Sequence, residues 1–243
     1  MTGRYVLAAL VAGTLAGLVL SGIQYLRLSP LIVAAEVYEQ ADAETSGESC
    51  LEATPGSVEP DTSKCYDHHS GHAWEPAPGL ARIGSTTVAS LIAGAGFAAI
   101  LAGLSLLLNI SINRANGWVW GILGFLAVHV ATSAGLPPEL PGMPVADLGQ
   151  RQIWWLGTII ATTAAIYILT QRKEVWAPIA AIAIAALPHI IGAPHAPAEP
   201  SSLPPTLAAE FAGNAIAAAA VFWLVMGVLL GHFLPRFELD KDQ

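Results

Sequence analysis

The sequence predicts an all-α protein: a polytopic membrane helix bundle with about six transmembrane helices and one long polar periplasmic loop. Of the 243 residues, 54% are hydrophobic and only 12% are charged, which leaves too little polar surface to cover a water-soluble domain of this size. The charges are also segregated into connecting segments, whereas several apolar runs approach the roughly 20 residues that cross a ~30 Å hydrocarbon core. We therefore treat the chain as a single integral membrane domain.

Six apolar segments are the candidate spans. The first lies between Arg4 and Arg27 and is longer than the apolar core of a secretory signal peptide, so we interpret it as an uncleaved anchor. Gly13 and Gly17 in this span have the spacing that suits close helix packing. The third and fifth spans are short, and either is compatible with a partly re-entrant helix. The predicted spans are residues 5–26, 86–108, 117–134, 153–170, 175–191 and 207–233.

The distribution of lysine and arginine predicts the orientation. An even number of spans places both termini on one side, and basic residues near short loops are retained in the cytoplasm. We therefore expect both termini to be cytoplasmic, with residues 27–85, 135–152 and 192–206 facing outward. The basic residues on the side of the termini are Arg4, Arg114, Arg172, Lys173, Arg236 and Lys241, whereas the short outward loops carry only Arg151.

The first outward segment, residues 27–85, holds most of the acidity of the chain. Ten of the eighteen acidic residues lie between residues 36 and 75, so the net charge of −8 is local, and nucleic acid is excluded as a partner class. The same segment carries Cys50 and Cys65. In an oxidising compartment these cysteines are compatible with a disulfide, while a soft-metal thiolate pair is the alternative, although their spacing matches no recognised zinc or iron signature.

Candidate metal ligands are concentrated in the same segment, in the sequence DHHSGH. Imidazole nitrogens together with carboxylate oxygens are the donors that cobalt, nickel and zinc ions accept. Three histidines within five residues favour transient metal capture over the alternative, a solvated polar loop that happens to contain histidine. Glu36 and Glu39, just after the first span, offer further oxygen ligands. The proposed capture residues of the cluster are Asp67, His68, His69 and His72.

A proline-rich outward loop, PPELPGMPVADLGQRQIWW (residues 137–155), forms a second motif. Its four prolines make a stiff, non-helical segment, so Glu139, Met143 and Asp147 are expected to be held in a shaped turn at the entrance to the bundle. A plain connector in which Arg151 pairs with Asp147 at the start of the fourth span is an equal alternative.

A third set of polar residues lies in or near the spans and defines a candidate translocation path. Glu210 and Asn214 are four residues apart and share one helix face, and an ionisable residue at membrane depth indicates function. The alternative for Glu210 is a position at headgroup level, in contact with water. His189 follows Pro188 in the motif PHIIGAPHAP, and His129 lies in the third span, either buried and hydrogen-bonded or part of the polar path.

Enzyme motifs are absent from the sequence. It contains no GxxxxGK[ST] phosphate loop, no HExxH, no GxSxG and no dinucleotide fingerprint. We therefore predict that the chain is not an enzyme and holds no permanently bound cofactor, and that a divalent cation is its cargo.

The motifs together resemble the CbtA family of probable cobalt transporter subunits. The resemblance is carried in order along almost the whole chain by AAEVYE (residues 34–39), the HH cluster followed by HAWEPAPGLAR, PPELPGMPVADLGQRQIWW, PHIIGAP and LAAEFA. It implies a multi-pass inner-membrane protein of a bacterium that imports cobalt for cobalamin synthesis with a small membrane partner, CbtB, which has its own histidine motif. The family is usually described with five spans, whereas six are predicted here.

The function predicted from residues and resemblance together is that of a membrane subunit for cobalt uptake, surrounded by lipid. The alternatives are transport of nickel or another divalent ion, a non-transporting membrane protein that binds or senses metal, and an assembly factor. A membrane-embedded enzyme fits less well, because the clustered ligands lie in a loop and not on facing helices.

Overall fold

The structure is a computed structural model that describes residues 2–51, 79–197 and 201–238. These residues form helices and connecting loops, without a strand. The helices are α1 (Thr2–Ile23), α2 (Ser29–Leu51), α3 (Leu80–Leu108), α4 (Gly117–Phe125), α5 (Ala131–Ser133), α6 (Leu148–Gln171), α7 (Trp176–Ile191), α8 (Pro205–Phe233) and α9 (Pro235–Glu238). Two π-helical turns, Gln24–Leu28 and Leu126–Val130, join α1 to α2 and α4 to α5.

Six helical segments correspond to the six predicted spans, and the predicted fold class is confirmed. Four are long and apolar enough to cross a membrane, and two shorter apolar helices lie among them. At 1.5 Å per residue the shorter ones measure about 25 Å, slightly less than a ~30 Å hydrocarbon core. The long spans are Gly3–Glu39, Leu80–Leu108, Leu148–Gln171 and Pro205–Phe233, and the shorter helices are Gly117–Ser133 and Trp176–Ile191.

The first helix crossing joins α1 to α3 through small residues. A Cβ atom added at Gly13 would lie 2.2 Å from the Gly94 carbonyl oxygen, and one added at Gly17 would lie 2.4 Å from the Ser90 carbonyl oxygen. Ser90 also donates a hydrogen bond to Gln24 Oε1 (2.7 Å). In lipid, close backbone approach and hydrogen bonds between helices drive association, so the predicted packing role of the Gly13–Gly17 spacing is confirmed.

The second crossing joins α4 to α8 in the same way. Gly117 and Gly121 face Gly227 and Gly231, and a Cβ atom added at Gly117 would lie 2.4 Å from the Gly227 carbonyl oxygen. One turn earlier in α8, Trp223 is only 2% exposed. Because α8 packs against both α1 and α4, it forms the centre of the bundle.

The α6–α7 pair forms the periphery of the bundle. Trp154, Thr158 and Ala165 of α6 are buried, whereas Ile153 on α6 is 76% exposed and Ile179 on α7 is 70% exposed. Large exposed apolar side chains on long apolar helices are the surface expected to contact lipid.

The segment predicted as an outward loop, residues 27–85, is helical at both ends. The first helix continues beyond the predicted end of the span, because a π-helical turn, in which Ser29 N–H donates to Gln24 O, accommodates Pro30. A proline lacks an N–H and crowds the preceding turn, and a widened turn relieves this conflict. Glu36 and Glu39 therefore lie on α2. Residues 52–78 lie outside the described part of the chain.

Candidate functional site

The end of the bundle opposite the two termini is built from α2, the start of α8, and the loops of residues 134–147, 192–197 and 201–204. We call it the distal face. One apolar cluster connects these segments, because side chains from each of them are buried together. This cluster fixes the loops relative to the helices. Its buried members are Leu28, Ala35, Leu140, Leu203, Phe211 and Ala218.

The proline-rich loop is tightly shaped, as predicted. Gly142 has φ of +79°, a conformation that suits glycine, and a Cβ atom added there would lie 3.3 Å from Cβ of Glu39 on α2. Ser201 donates a hydrogen bond to the Gly142 carbonyl oxygen (3.1 Å). Met143 Sδ accepts from Leu140 N–H (3.3 Å), and its side chain packs against the apolar cluster. Met143 thus stabilises the turn from within.

Glu139 is held by an arginine. Arg151 Nη2 donates to Glu139 Oε2 at 2.5 Å, and the two side chains are only 27% and 18% exposed. Asp147 has a different role: it caps α6 by accepting a hydrogen bond from Gln150 N–H at 3.0 Å. The alternative in which Arg151 pairs with Asp147 is therefore wrong, because Asp147 serves the helix start and Arg151 reaches back to Glu139.

Glu36 is also held by an arginine. Arg82 Nη1 donates to Glu36 Oε2 (3.2 Å), and Nη2 bonds to the other carboxylate oxygen. This bidentate pair ties α2 to the first turn of α3. Bidentate geometry makes such pairs strong and directional. Sequence reasoning missed Arg82, since no pattern joins positions 46 residues apart.

A cavity of about 420 Å³ lies between the two distal loops, and Glu139 and His195 are its ionisable lining residues. The remaining wall consists of small or apolar residues such as Gly135, Ala193 and Pro194. A carboxylate and an imidazole are donors suited to cobalt, nickel or zinc. His195 lies in the motif PHIIGAPHAP, yet sequence reasoning selected only His189, because His189 adjoins the helical proline.

The four residues of the predicted translocation path lie in separate surroundings. His129 Nδ1 accepts a hydrogen bond from Trp223 Nε1 (3.0 Å), and His189 makes an edge contact with Trp154, with ring centroids 5.6 Å apart. Glu210 is exposed on α8, and Asn214 Nδ2 donates to its backbone oxygen (2.8 Å). His129 is thus partly buried and hydrogen-bonded, as in the first alternative, within the second π-helical turn.

No group of three or more His, Cys, Asp or Glu side chains in residues 2–51, 79–197 and 201–238 is placed to hold a metal ion. The predicted capture cluster, Asp67, His68, His69 and His72, lies outside the described residues, as does the side chain of each cysteine. The candidate metal donors in the described part of the distal face are therefore two carboxylates held by arginine, the nearby Glu39, and one imidazole in the cavity.

A bundle with four helices long and apolar enough to cross a membrane, and two shorter apolar helices among them, is that of a polytopic helical membrane protein. The chain belongs to the CbtA family, described as "Probable cobalt transporter subunit", whose sequence model matches residues 2–235. The resemblance found from the motifs is thereby confirmed. Comparisons with curated proteins and with solved structures found no match.

Proposed function

We propose that this chain is the membrane subunit of a cobalt uptake system in a bacterial inner membrane, and that the distal cavity receives the cation before it crosses. Family membership supports cobalt as the cargo. Glu139 and His195 line the same cavity, and this observation carries the site, because nitrogen and oxygen donors suit this ion. The cobalt serves cobalamin synthesis, and a small CbtB-like membrane protein completes the transporter.

In this proposal the distal face lies in the periplasm. The basic residues at the opposite end support this orientation, since cytoplasmic ends of membrane helices carry the excess of lysine and arginine. Among them, Arg172 and Lys173 follow α6, and Arg114 precedes α4.

The arginine pairs make cation capture reversible. Arg151 neutralises Glu139 and Arg82 neutralises Glu36, so an arriving cation must compete with a guanidinium for each carboxylate. A carrier needs such moderate affinity, because an ion that is held too tightly does not move on. The histidines of the DHHSGH segment, with Asp67, provide the first capture, and Glu39 on α2 borders the proline-rich loop at Gly142.

The exposed position of Glu210 supports a path completed by the partner subunit. A carboxylate on a membrane helix is costly unless it faces protein or water, and Glu210 points away from the described residues of this chain, about one turn inside α8. A partner helix that covers this face of α8 brings Glu210 and Asn214 into an interface. His189 is a further candidate for this path, whereas His129 Nδ1 is engaged by the hydrogen bond from Trp223.

Cobalt accumulation in cells that lack other cobalt importers tests the cavity. The variants Glu139→Gln and His195→Ala are expected to require several-fold more external cobalt for the same intracellular level, because each removes one donor. Glu174→Gln is the matched control: its side chain is 51% exposed and lies at the other end of α6, so uptake should be unchanged. If both cavity variants accumulate cobalt like the parent at equal expression, the cavity is not the entry site.

A further inference from the structure

A second cavity, of about 490 Å³, opens on the membrane-facing side of the bundle between α3, α4 and α6. Its lining comes mainly from α3, α4 and α6, and α4 packs tightly onto α8 through glycines. Apolar side chains form nearly the whole lining, among them Leu104, Leu123 and Ile159. We call it the lateral groove.

The lateral groove has one polar end and one closed apolar end. On the side of the termini, Asn116, Thr170 and Gln171 line its mouth, whereas Phe97 and Trp223 close it near the middle of the bundle. On α6 the lining runs from residue 155 to residue 171, a rise of about 24 Å along the helix. One leaflet contributes ~15 Å of hydrocarbon. The lining on α3, residues 97–108, rises about 17 Å and covers one leaflet, whereas the lining on α6 continues well into the other leaflet.

Basic residues flank the polar mouth on both sides. Arg172 and Lys173 directly follow Gln171, and both are exposed. On the opposite lip, Arg114 is exposed in the turn that precedes Asn116. This turn is fixed by side-chain hydrogen bonds, since Asn116 Oδ1 accepts from Asn113 N–H at 2.8 Å. Cations at the polar end of the lateral groove complement one anionic lipid, whose phosphate lies at the membrane surface and whose acyl chain lies inside.

We propose that the lateral groove binds one anionic phospholipid, with an acyl chain between α3, α4 and α6 and the phosphate at Arg172, Lys173 and Arg114. A partner helix would cross both leaflets, whereas the lining on α3 begins at Phe97, near the middle of that helix, so the length of an acyl chain from one leaflet matches this side of the groove better than a helix does. The site is separate from the distal cavity and does not depend on the transported ion.

Lipid retention by the full chain tests this proposal. Protein purified in detergent is mixed with phosphatidylglycerol or with phosphatidylcholine of the same acyl chains, and bound lipid is counted by native mass spectrometry, with the thermal unfolding midpoint measured in parallel. We expect one retained phosphatidylglycerol, a higher unfolding midpoint with that lipid, and at least fivefold less retained phosphatidylcholine.

Two variants and a control separate the headgroup from the chain. Arg172→Gln/Lys173→Gln should lower phosphatidylglycerol retention to the level of phosphatidylcholine, and Thr163→Phe, which fills the middle of the groove, should lower retention of both lipids. Arg236→Gln/Lys241→Gln removes two cations that follow α8 in the chain and should leave retention unchanged.

Equal retention of the two lipids by the parent, or a loss in the control as large as in Arg172→Gln/Lys173→Gln, would overturn the proposal. Loss of the retained lipid when the partner subunit is added would overturn the proposal too.

Discussion

Glu139 shows how much of a side chain's role is set by its neighbours. Its position in a proline-rich loop suggested an entrance residue, and the structure adds two neighbours: Arg151, which pairs with it, and the cavity that it lines with His195. The two side chains are partly shielded from water, and ion pairs at a protein surface contribute about 0–1 kcal/mol.

The Arg151 guanidinium is expected to oppose cation entry. The variant Arg151→Gln should lower the external cobalt concentration for half-maximal uptake about fivefold, which corresponds to about 1 kcal/mol, because Glu139 loses its competitor and the cavity loses a positive charge. A titration of uptake against cobalt concentration measures this. An increase in the half-saturating concentration would show that Arg151 serves to shape the site and does not compete with the ion.

Thr162 on α6 offers a second test at the residue scale. Its Oγ1 is buried without a hydrogen-bond partner in the described structure, whereas Thr158 Oγ1 donates to the Trp154 carbonyl oxygen at 2.8 Å. An unpaired buried polar group costs about 1–3 kcal/mol, so Thr162→Val should raise the thermal unfolding midpoint and Thr158→Val should lower it. A lower midpoint for Thr162→Val would mean that its hydroxyl is satisfied in the membrane.

At the scale of elements, glycine contacts decide which helices meet. A Cβ atom at Gly13 has no room against Gly94, whereas Gly96 and Gly103 on α3 have nothing within 4 Å. Gly13→Val is therefore expected to destabilise the bundle by roughly 1–3 kcal/mol, as overpacking does. Gly96→Val and Gly103→Val are the controls, and their unfolding midpoints should stay close to that of the parent. Equal losses in all three variants would contradict the crossing of α1 and α3.

Element positions could be predicted from the sequence because hydropathy reports the solvent of each segment. All six predicted spans correspond to helical segments, and the largest difference is the first helix, which continues through Pro30 to Leu51. The apolar run ends near Leu26, but helix formation does not require apolar residues, and the π-helical turn that admits Pro30 has no sequence signature. Long-range pairs such as Glu36 with Arg82 were invisible for a related reason: they depend on the angle at which two helices leave the membrane.

At the scale of the whole molecule, the described chain forms a central helix, α8, with α1, α3 and α4 around it and the α6–α7 pair outside. Its polar groups lie mainly at the two ends, and the membrane interior contains few ionisable residues, such as His129. A path for a cation through this chain alone would therefore be poorly solvated, and this supports the proposal that a partner subunit completes it. The family description as a transporter subunit agrees with this view.

The orientation follows from the same charge distribution and can be measured separately. A cysteine introduced at Ala196, in the distal loop, should react with a membrane-impermeant maleimide in intact cells, whereas one at Lys173 should react only after the membrane is opened. For this test the two native cysteines, Cys50 and Cys65, are replaced by serine. The reverse labelling pattern would place the distal face in the cytoplasm, and uptake through it would be excluded.

The central claim is that this chain carries cobalt across a membrane and does not merely bind it. The most direct measurement is uptake of radiolabelled cobalt into proteoliposomes that contain the chain, alone and with its partner subunit, followed by washing with a membrane-impermeant chelator. We expect label that resists the chelator in vesicles with both subunits and less of it in vesicles prepared with Glu139→Gln. If the chelator removes all of the label from both preparations, the chain is a membrane metal-binding protein and the transport function is contradicted.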